Sequence, residues 1–289
     1  MNLAAKTRLR AAGAEEAGSK FGQPHIVQPQ SKHTHTAIVL HGRGSDAEEF
    51  ADDFFEPNLS DGAKLCDKLP GWRWVFPSSK KRWSTAFQEY MPAWFEAHSL
   101  TDPTARQNLQ VKGLLESVDH ISYTIKKETE RLGGDSRKLV LGGISQGAAV
   151  GMWTLLSGRG LENRSLGGFF AASTWLPFAA DVKDLFVRNE VAPAPGSLEP
   201  RDAVLAMIPP VDKPAPSTTR EQPPVFLGHG VDDAYVDVEL GRQAADVLAQ
   251  GGWAVEWKEY SGAEEEGHWF KVPDEVDDIF SFLVRVTSA

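Results

Sequence analysis

The sequence predicts an α/β architecture, a mostly parallel central sheet with helices on both faces. Two patterns carry that expectation. Short runs such as Thr36–Leu40, Lys138–Gly143 and Val225–Gly228 are almost continuously apolar, as strands covered on both sides must be. These runs alternate with longer stretches of helical periodicity, the order that builds a parallel sheet through crossover helices.

Taken in order, residues 1–35 are polar and aperiodic, and are expected to form a flexible N-terminal arm before a domain over 36–289. Thr36–Leu40 is a buried strand that runs into the glycine loop His41-Gly42-Arg43-Gly44. Ser45 or Asp46 suits the cap of a helix reaching about Phe54, and Trp72–Pro77 reads as the next strand. Residues 78–105 hold Trp83, Phe87, Tyr90, Met91, Trp94 and Phe95 with no readable period. Asn108–Leu132 sets Leu114, Leu115, Val118, Ile121 and Ile125 mostly at helical spacing and stops at Gly133-Gly134. Lys138–Gly143 is a strand, Gln146–Ser157 a helix of small residues, and Ser165–Ala172 a further strand candidate. Val225–Gly228, a helix over Val238–Ala249, the strand Trp253–Tyr260 and a helix over Asp274–Val286 complete the alternation. The stretch 187–224 breaks it. Nine prolines there predict an extended Pro-rich insertion, with Ala203–Ile208 as a short packed segment inside it.

Composition narrows the function classes. A net charge of -10 over 289 residues argues against nucleic acid as a partner, which would call for a basic face. No run approaches the roughly 20 apolar residues of a membrane span, so no stable membrane insertion is expected. Met1–Lys20 lacks the apolar core of a secretory signal. Cys66 is the single cysteine, which excludes an intrachain disulfide and a cysteine-rich metal site, and fits a reducing, cytoplasmic setting. It reads as a small apolar residue near a helix end.

The chemistry gathers around Gly143-Ile144-Ser145-Gln146-Gly147. A G-x-S-x-G string alone is weak, but this one sits between an apolar strand and a small-residue helix, the setting of a nucleophile elbow in the α/β-hydrolase fold. Glycines relieve the clashes of that tight turn, and a helix beginning at the serine aims free N–H groups at it. A serine hydroxyl also needs a base, and the base an orienting acid. His268 follows the last strand and is the base expected among eight histidines; His41 and His229 each precede a glycine in strand-end loops and suit structural hydrogen bonds. Asp232, Asp233 and Asp237 all stand near the end of Val225–Gly228 as candidate acids. For the oxyanion, the donors expected are the backbone N–H groups of Gln146, next to the serine, and of Arg43 in the glycine loop.

With those residues in place, the chain resembles the acyl-protein thioesterase / phospholipase–carboxylesterase family. The matching pieces are Leu40-His41-Gly42-Arg43-Gly44-Ser45-Asp46, Pro92-Ala93-Trp94-Phe95, Gly142–Ala148, Ser173-Thr174-Trp175-Leu176-Pro177, His229-Gly230-x-x-Asp233 and Tyr260-x-Gly262 ahead of His268. The resemblance implies hydrolysis of a carboxylic ester or thioester through an acyl-enzyme, with no metal and no cofactor. It makes Asp233 the acid that orients His268. It also places Trp94 and Phe95 on the loop covering the acyl pocket, with Trp175 and Leu176 near the substrate. That substrate is a small-molecule ester or thioester, or an acylated protein; oligomeric state is left open. An acyltransferase or lactone-forming enzyme on the same fold is the alternative chemistry, and a non-catalytic binding protein the alternative class. Four features depart from the family pattern. Arg43 is charged where a small apolar residue is usual, Ala234 replaces a proline, Ala263–Gly267 is long and acidic, and the 187–224 insertion is large.

Overall fold

A computed structural model describes residues 20–99, 101–161, 165–188, 193, 199–209 and 222–287. The strands are β1 (His25–Val27), β2 (His35–Leu40), β3 (Trp72–Phe76), β4 (Lys80–Ser84), β5 (Glu89–Ala93), β6 (Leu139–Ile144), β7 (Gly168–Ala172), β8 (Val225–Gly230) and β9 (Val255–Tyr260). The helices are α1 (Ala47–Phe55), α2 (Leu65–Lys68), α3 (Gln110–Arg131), α4 (Ser145–Ser157), α5 (Ala179–Arg188), α6 (Pro200–Leu205), α7 (Val238–Gln250) and α8 (Asp274–Thr287).

Seven strands form one sheet in the order β1-β3-β2-β6-β7-β8-β9, with β4 and β5 as a separate antiparallel pair. Every pairing from β3 to β9 is parallel. This is the predicted α/β-hydrolase architecture. Successive side chains of a strand face opposite sides of a sheet, and both sides are covered here. Ile38 and Leu40 enter one apolar cluster with residues of α3, α4, α5 and α7. Ala37 and Val39 enter a second, with residues of α1 and α8.

Local chemistry explains the helix ends that frame the site. Asp46 caps α1 by accepting from Glu48 N–H and Glu49 N–H, both at 3.0 Å. Asp237 caps α7 by accepting from Glu239 N–H at 2.9 Å. The glycine stop after α3 is real, Gly133 and Gly134 lying at φ 70° and 86°.

One expectation needs correction. Within the segment read as a loose arm over 1–35, residues 25–27 pair antiparallel with β3 and extend the sheet. Phe21 stacks on His120 at 3.9 Å, and Gln28 accepts from Arg73 at 2.8 Å beside a buried Arg73–Glu128 pair. A three-residue strand has no period to read, and its backbone bonds to β3 supply what its side chains lack. Residues 1–19 lie outside the described residues. In the 187–224 insertion, the short packed segment expected over Ala203–Ile208 is present. Val204 and Leu205 of α6, with Met207 and Ile208 just after it, are buried in the cluster around α3; residues 189–192, 194–198 and 210–221 lie outside the described residues. α5, immediately before it, had no sequence expectation.

Candidate active site

In a parallel sheet the functional loops collect at the carboxyl ends of the strands. Here that edge carries Gly42–Gly44 after β2, Ser145 after β6, Ser173–Leu176 after β7, Asp232 and Asp233 after β8, and His268 after β9.

Ser145 is the first residue of α4 and lies at φ 53°, a left-handed conformation that non-glycine residues seldom adopt. Glycines on either side are needed because the elbow presses on the loop after β2. A Cβ at Gly143 would stand 2.7 Å from the Leu40 carbonyl oxygen, and one at Gly147 would run into the carbonyls of Leu40 and His41. Gly42 in turn faces the Ser145 side chain, its notional Cβ 3.6 Å from Ser145 Cβ. Thr174, from the loop after β7, holds the Ser145 carbonyl at 2.8 Å. Gln146 lies in the first turn of α4, where backbone N–H groups have no acceptor within the helix.

The loop carrying Arg43 is braced by a buried histidine. His41 Nδ1–H donates to Gly42 O at 2.6 Å, and its Nε2 accepts from Ser79 N–H at 3.1 Å. Burial pushes its pKa down to about 4, with the Gly42 bond and Asp46 opposing, so the ring stays neutral. Trp94, from the covering segment, donates its indole N–H to His41 O at 2.8 Å. The side chain of Arg43 reaches away along that segment. Its Nη1 donates to Ala97 O at 3.0 Å and its Cζ lies 4.9 Å from the Phe87 ring centroid. Burial lowers its pKa, opposed by Glu96.

At the other end of the edge, His268 Nδ1 is 2.8 Å from Asp233 Oδ2. Oδ1 of Asp233 accepts from Tyr235 N–H at 2.8 Å and Val236 N–H at 2.9 Å. Buried His229 adds its Nε2 at 3.3 Å from Oδ2, while also bonding Val236 O at 2.9 Å. Burial works against ionisation of Asp233, but the bonds from His229, His268 and Val236 outweigh it and hold its carboxyl well below the usual carboxylate range. An ionised Asp233 makes Nδ1 of His268 the donor, and Nε2 is then the basic nitrogen. The other acids have separate tasks. Asp232 accepts from Gly262 N–H at 2.8 Å and anchors the loop after β9, and Asp237 caps α7. The acidic run Glu264–Glu266 is exposed, a solvated loop. Glu265, Glu266 and Gly267 all lie at positive φ, and the backbone at Gly267 presses so closely on Asp232 and Asp233 that a Cβ there would come within 2.8 Å of Asp233 N.

The structure thus brings Asp233 and His268 into contact, and Arg43 follows the Gly42 that faces Ser145, with Gln146 next to Ser145 in the chain. Ser145 Oγ and His268 share the edge without a hydrogen bond between them. Trp94, Phe95, Trp175 and Leu176 are 0, 0, 2 and 3 % exposed. They are core beneath the site, with Phe95 and Trp175 in edge contact at 6.1 Å. Two contributions had no sequence expectation, the Thr174 hydroxyl on Ser145 O and Tyr235, whose ring lies 5.4 Å from that of His268; His229 makes structural hydrogen bonds as expected, with Asp233 as the unforeseen partner.

Residues 21–193 match the family described as phospholipase/carboxylesterase. Similar curated proteins include acyl-protein thioesterase 1 of Yarrowia lipolytica, 26% identical over 89% of this chain and 94% of that protein. The Gibberella zeae protein of the same name is 27% identical over 90% and 94%. Among solved structures, Zea mays acyl-protein thioesterase 2 aligns with TM-score 0.65 at 24% identity, covering 92% of this chain and 99% of that one, and esterase PE8 with TM-score 0.64 at 20% identity, covering 92% and 99%. These two likenesses speak for the fold. No helix among the described residues is long and apolar enough to cross a membrane. The family match covers more than half of the chain, from the strand-edge segment through the β2 loop and the Ser145 elbow, and the chain belongs to the phospholipase/carboxylesterase family.

Proposed function

We propose that the chain is a serine hydrolase that cleaves a carboxylic ester or thioester through an acyl-enzyme. The observation that carries this reading is the Asp233–His268 pair at 2.8 Å on the same sheet edge as Ser145 in its left-handed elbow. Ser145 Oγ attacks the acyl carbonyl while His268 Nε2 takes its proton. The tetrahedral oxyanion is held by the N–H groups of Arg43 and Gln146. Losing one such donor typically costs about 3–4 kcal/mol in the barrier. His268 then returns its proton to the departing alcohol or thiol, and water repeats the sequence to release the acid. Catalytic hydrogen bonds often close only when substrate is bound, so an open Ser145–His268 contact is compatible with these roles.

The relatives' names point to thioesters on acylated proteins, and the same chemistry serves small-molecule esters. The lone cysteine supports a cytoplasmic setting. The test is turnover of short p-nitrophenyl esters and acyl thioesters, together with labelling by a fluorophosphonate probe. Ser145→Ala should abolish both while keeping the wild-type circular dichroism. Wild-type-like turnover by that variant would remove Ser145 from the mechanism, and failure of the intact chain to label would favour a binding protein.

A further inference from the structure

The Arg43 guanidinium is held along the covering segment, with no carboxylate in hydrogen-bond contact among the described residues. The Arg43 backbone follows Gly42, which faces Ser145. The guanidinium lines a small recess with Arg82, Trp83, Met91, Phe95 and Glu96. The two cations of that recess are in different states. Arg82 is ion-paired, its Nη2 2.8 Å from a Glu116 carboxylate that it shares with Lys80 at 3.0 Å. Arg43 makes one side-chain hydrogen bond, to the neutral carbonyl of Ala97, and stacks on the exposed ring of Phe87. Glu96, the acid nearest in influence, turns its Oε1 to the Thr85 N–H at 3.0 Å and the Thr85 hydroxyl at 2.9 Å.

A guanidinium has five N–H donors in a planar fork that matches the oxygens of a carboxylate or phosphate. One is engaged here. A half-buried cation held flat against an aromatic ring is fixed in orientation and spared part of the solvent screening that weakens exposed charges. In a chain of net charge -10, the general field repels anionic molecules, so a local cation is what lets one settle.

Resting on the hydrolase reading above, we propose that Arg43 is a specificity-determining residue and that the favoured substrate is an ester or thioester carrying an anionic group, carboxylate or phosphate, away from the scissile carbonyl. The anion lies against the guanidinium while the carbonyl oxygen meets the N–H of the same residue, so one side chain and its own backbone set the distance between the two ends.

The test compares matched substrates. On the acyl side, mono-p-nitrophenyl adipate is set against p-nitrophenyl hexanoate. On the leaving-group side, the butyryl ester of 3-hydroxybenzoate is set against that of 3-hydroxybenzamide. In the wild type, one anionic ester should exceed its neutral partner by about tenfold in kcat/KM, mainly through KM, and the pair that does so identifies the end bearing the charge. Raising the salt to about 0.5 M should shrink that ratio, since exposed charges are screened. Arg43→Met should bring it to within about twofold of unity, and Arg43→Lys should keep part of it. A wild-type ratio near unity in both pairs overturns the assignment with no variant needed. So does an Arg43→Met protein that loses activity equally on charged and neutral esters, which would make the side chain a brace for the covering segment. Turnover of neutral esters without preference leaves the hydrolase reading standing, whereas no turnover of any ester removes both.

Discussion

Gln146 and Trp94 are joined by a buried hydrogen bond, the Trp94 backbone N–H donating to Gln146 Oε1 at 2.8 Å. The same amide donates through Nε2 to Phe95 O at 3.0 Å. Besides the backbone N–H proposed for the oxyanion, Gln146 thus has a structural task, its side chain pinning the covering segment to α4. Gln146→Met keeps the volume and removes both bonds. Each buried group left unpaired costs about 1–3 kcal/mol, so a loss near 3 kcal/mol and a Tm lower by about 6–12 °C are expected. Thermal melts would check this, and a variant melting with the wild type would show that the amide holds nothing.

Asp232 and Asp233 are chain neighbours with different partners, Gly262 N–H for the first and His268 for the second. Asp233→Asn cannot hold the same His268 tautomer, and a loss of kcat on the order of a thousandfold is expected from the usual role of such an acid. Asp232→Asn loosens a loop anchor and should cost less than about tenfold. Steady-state kinetics on one ester decides between them, and the reverse order would move the acid to Asp232.

His229 is expected to act on the proposed reaction through Asp233. Its Nε2 lies 3.3 Å from the Oδ2 that also receives His268. Its Nδ1 is buried without a partner, so the proton belongs on Nε2. Gln carries an amide nitrogen at about the same reach, whereas Leu carries no donor. His229→Leu should lower kcat by about tenfold and shift the acid limb of kcat/KM upward, because an Asp233 relieved of one donor bonds the His268 imidazolium more strongly. His229→Gln should restore the limb. An unmoved pH profile in a folded His229→Leu protein would confine this residue to packing.

How far these parts were legible in the sequence follows from how each is held. β2, β6 and β8 announce themselves because both faces of each are buried, leaving unbroken apolar runs. His268 could be singled out because the other histidines fall in recognisable places, and Asp232 and Asp237 took the anchoring and capping roles their positions suggest. The β4–β5 hairpin was hidden for a physical reason. Its turn places Gln88 at φ 58° where a glycine or asparagine would signal one, and Pro92 interrupts its second strand. The aromatic pair Trp94-Phe95 suggested a pocket lining, but backbone bonds from distant residues draw it fully into the core. No periodicity encodes that.

Glu275 supplies a prediction away from the site. It lies in α8 against Gly228 of β8, fully buried, its Oε2 accepting from Lys271 N–H at 2.9 Å and its Oε1 without a partner. Burial pushes its pKa up to about 8, with Asp278 adding to the shift and the Lys271 bond opposing it. In the unfolded chain a glutamate titrates near about 4.3. Between those values the folded protein holds a proton that the unfolded chain has released, so stability falls as pH rises through that window and levels off above about 8. Glu275→Gln keeps the shape and an acceptor for Lys271 while removing the titration. Its Tm should lie within a few degrees of wild type at about pH 5 and exceed it by roughly 10–20 °C at about pH 8.5. Melting both proteins across that range is the measurement, and a Tm difference that does not change with pH would show that this carboxyl stays charged in the folded protein or has the same pKa in both states.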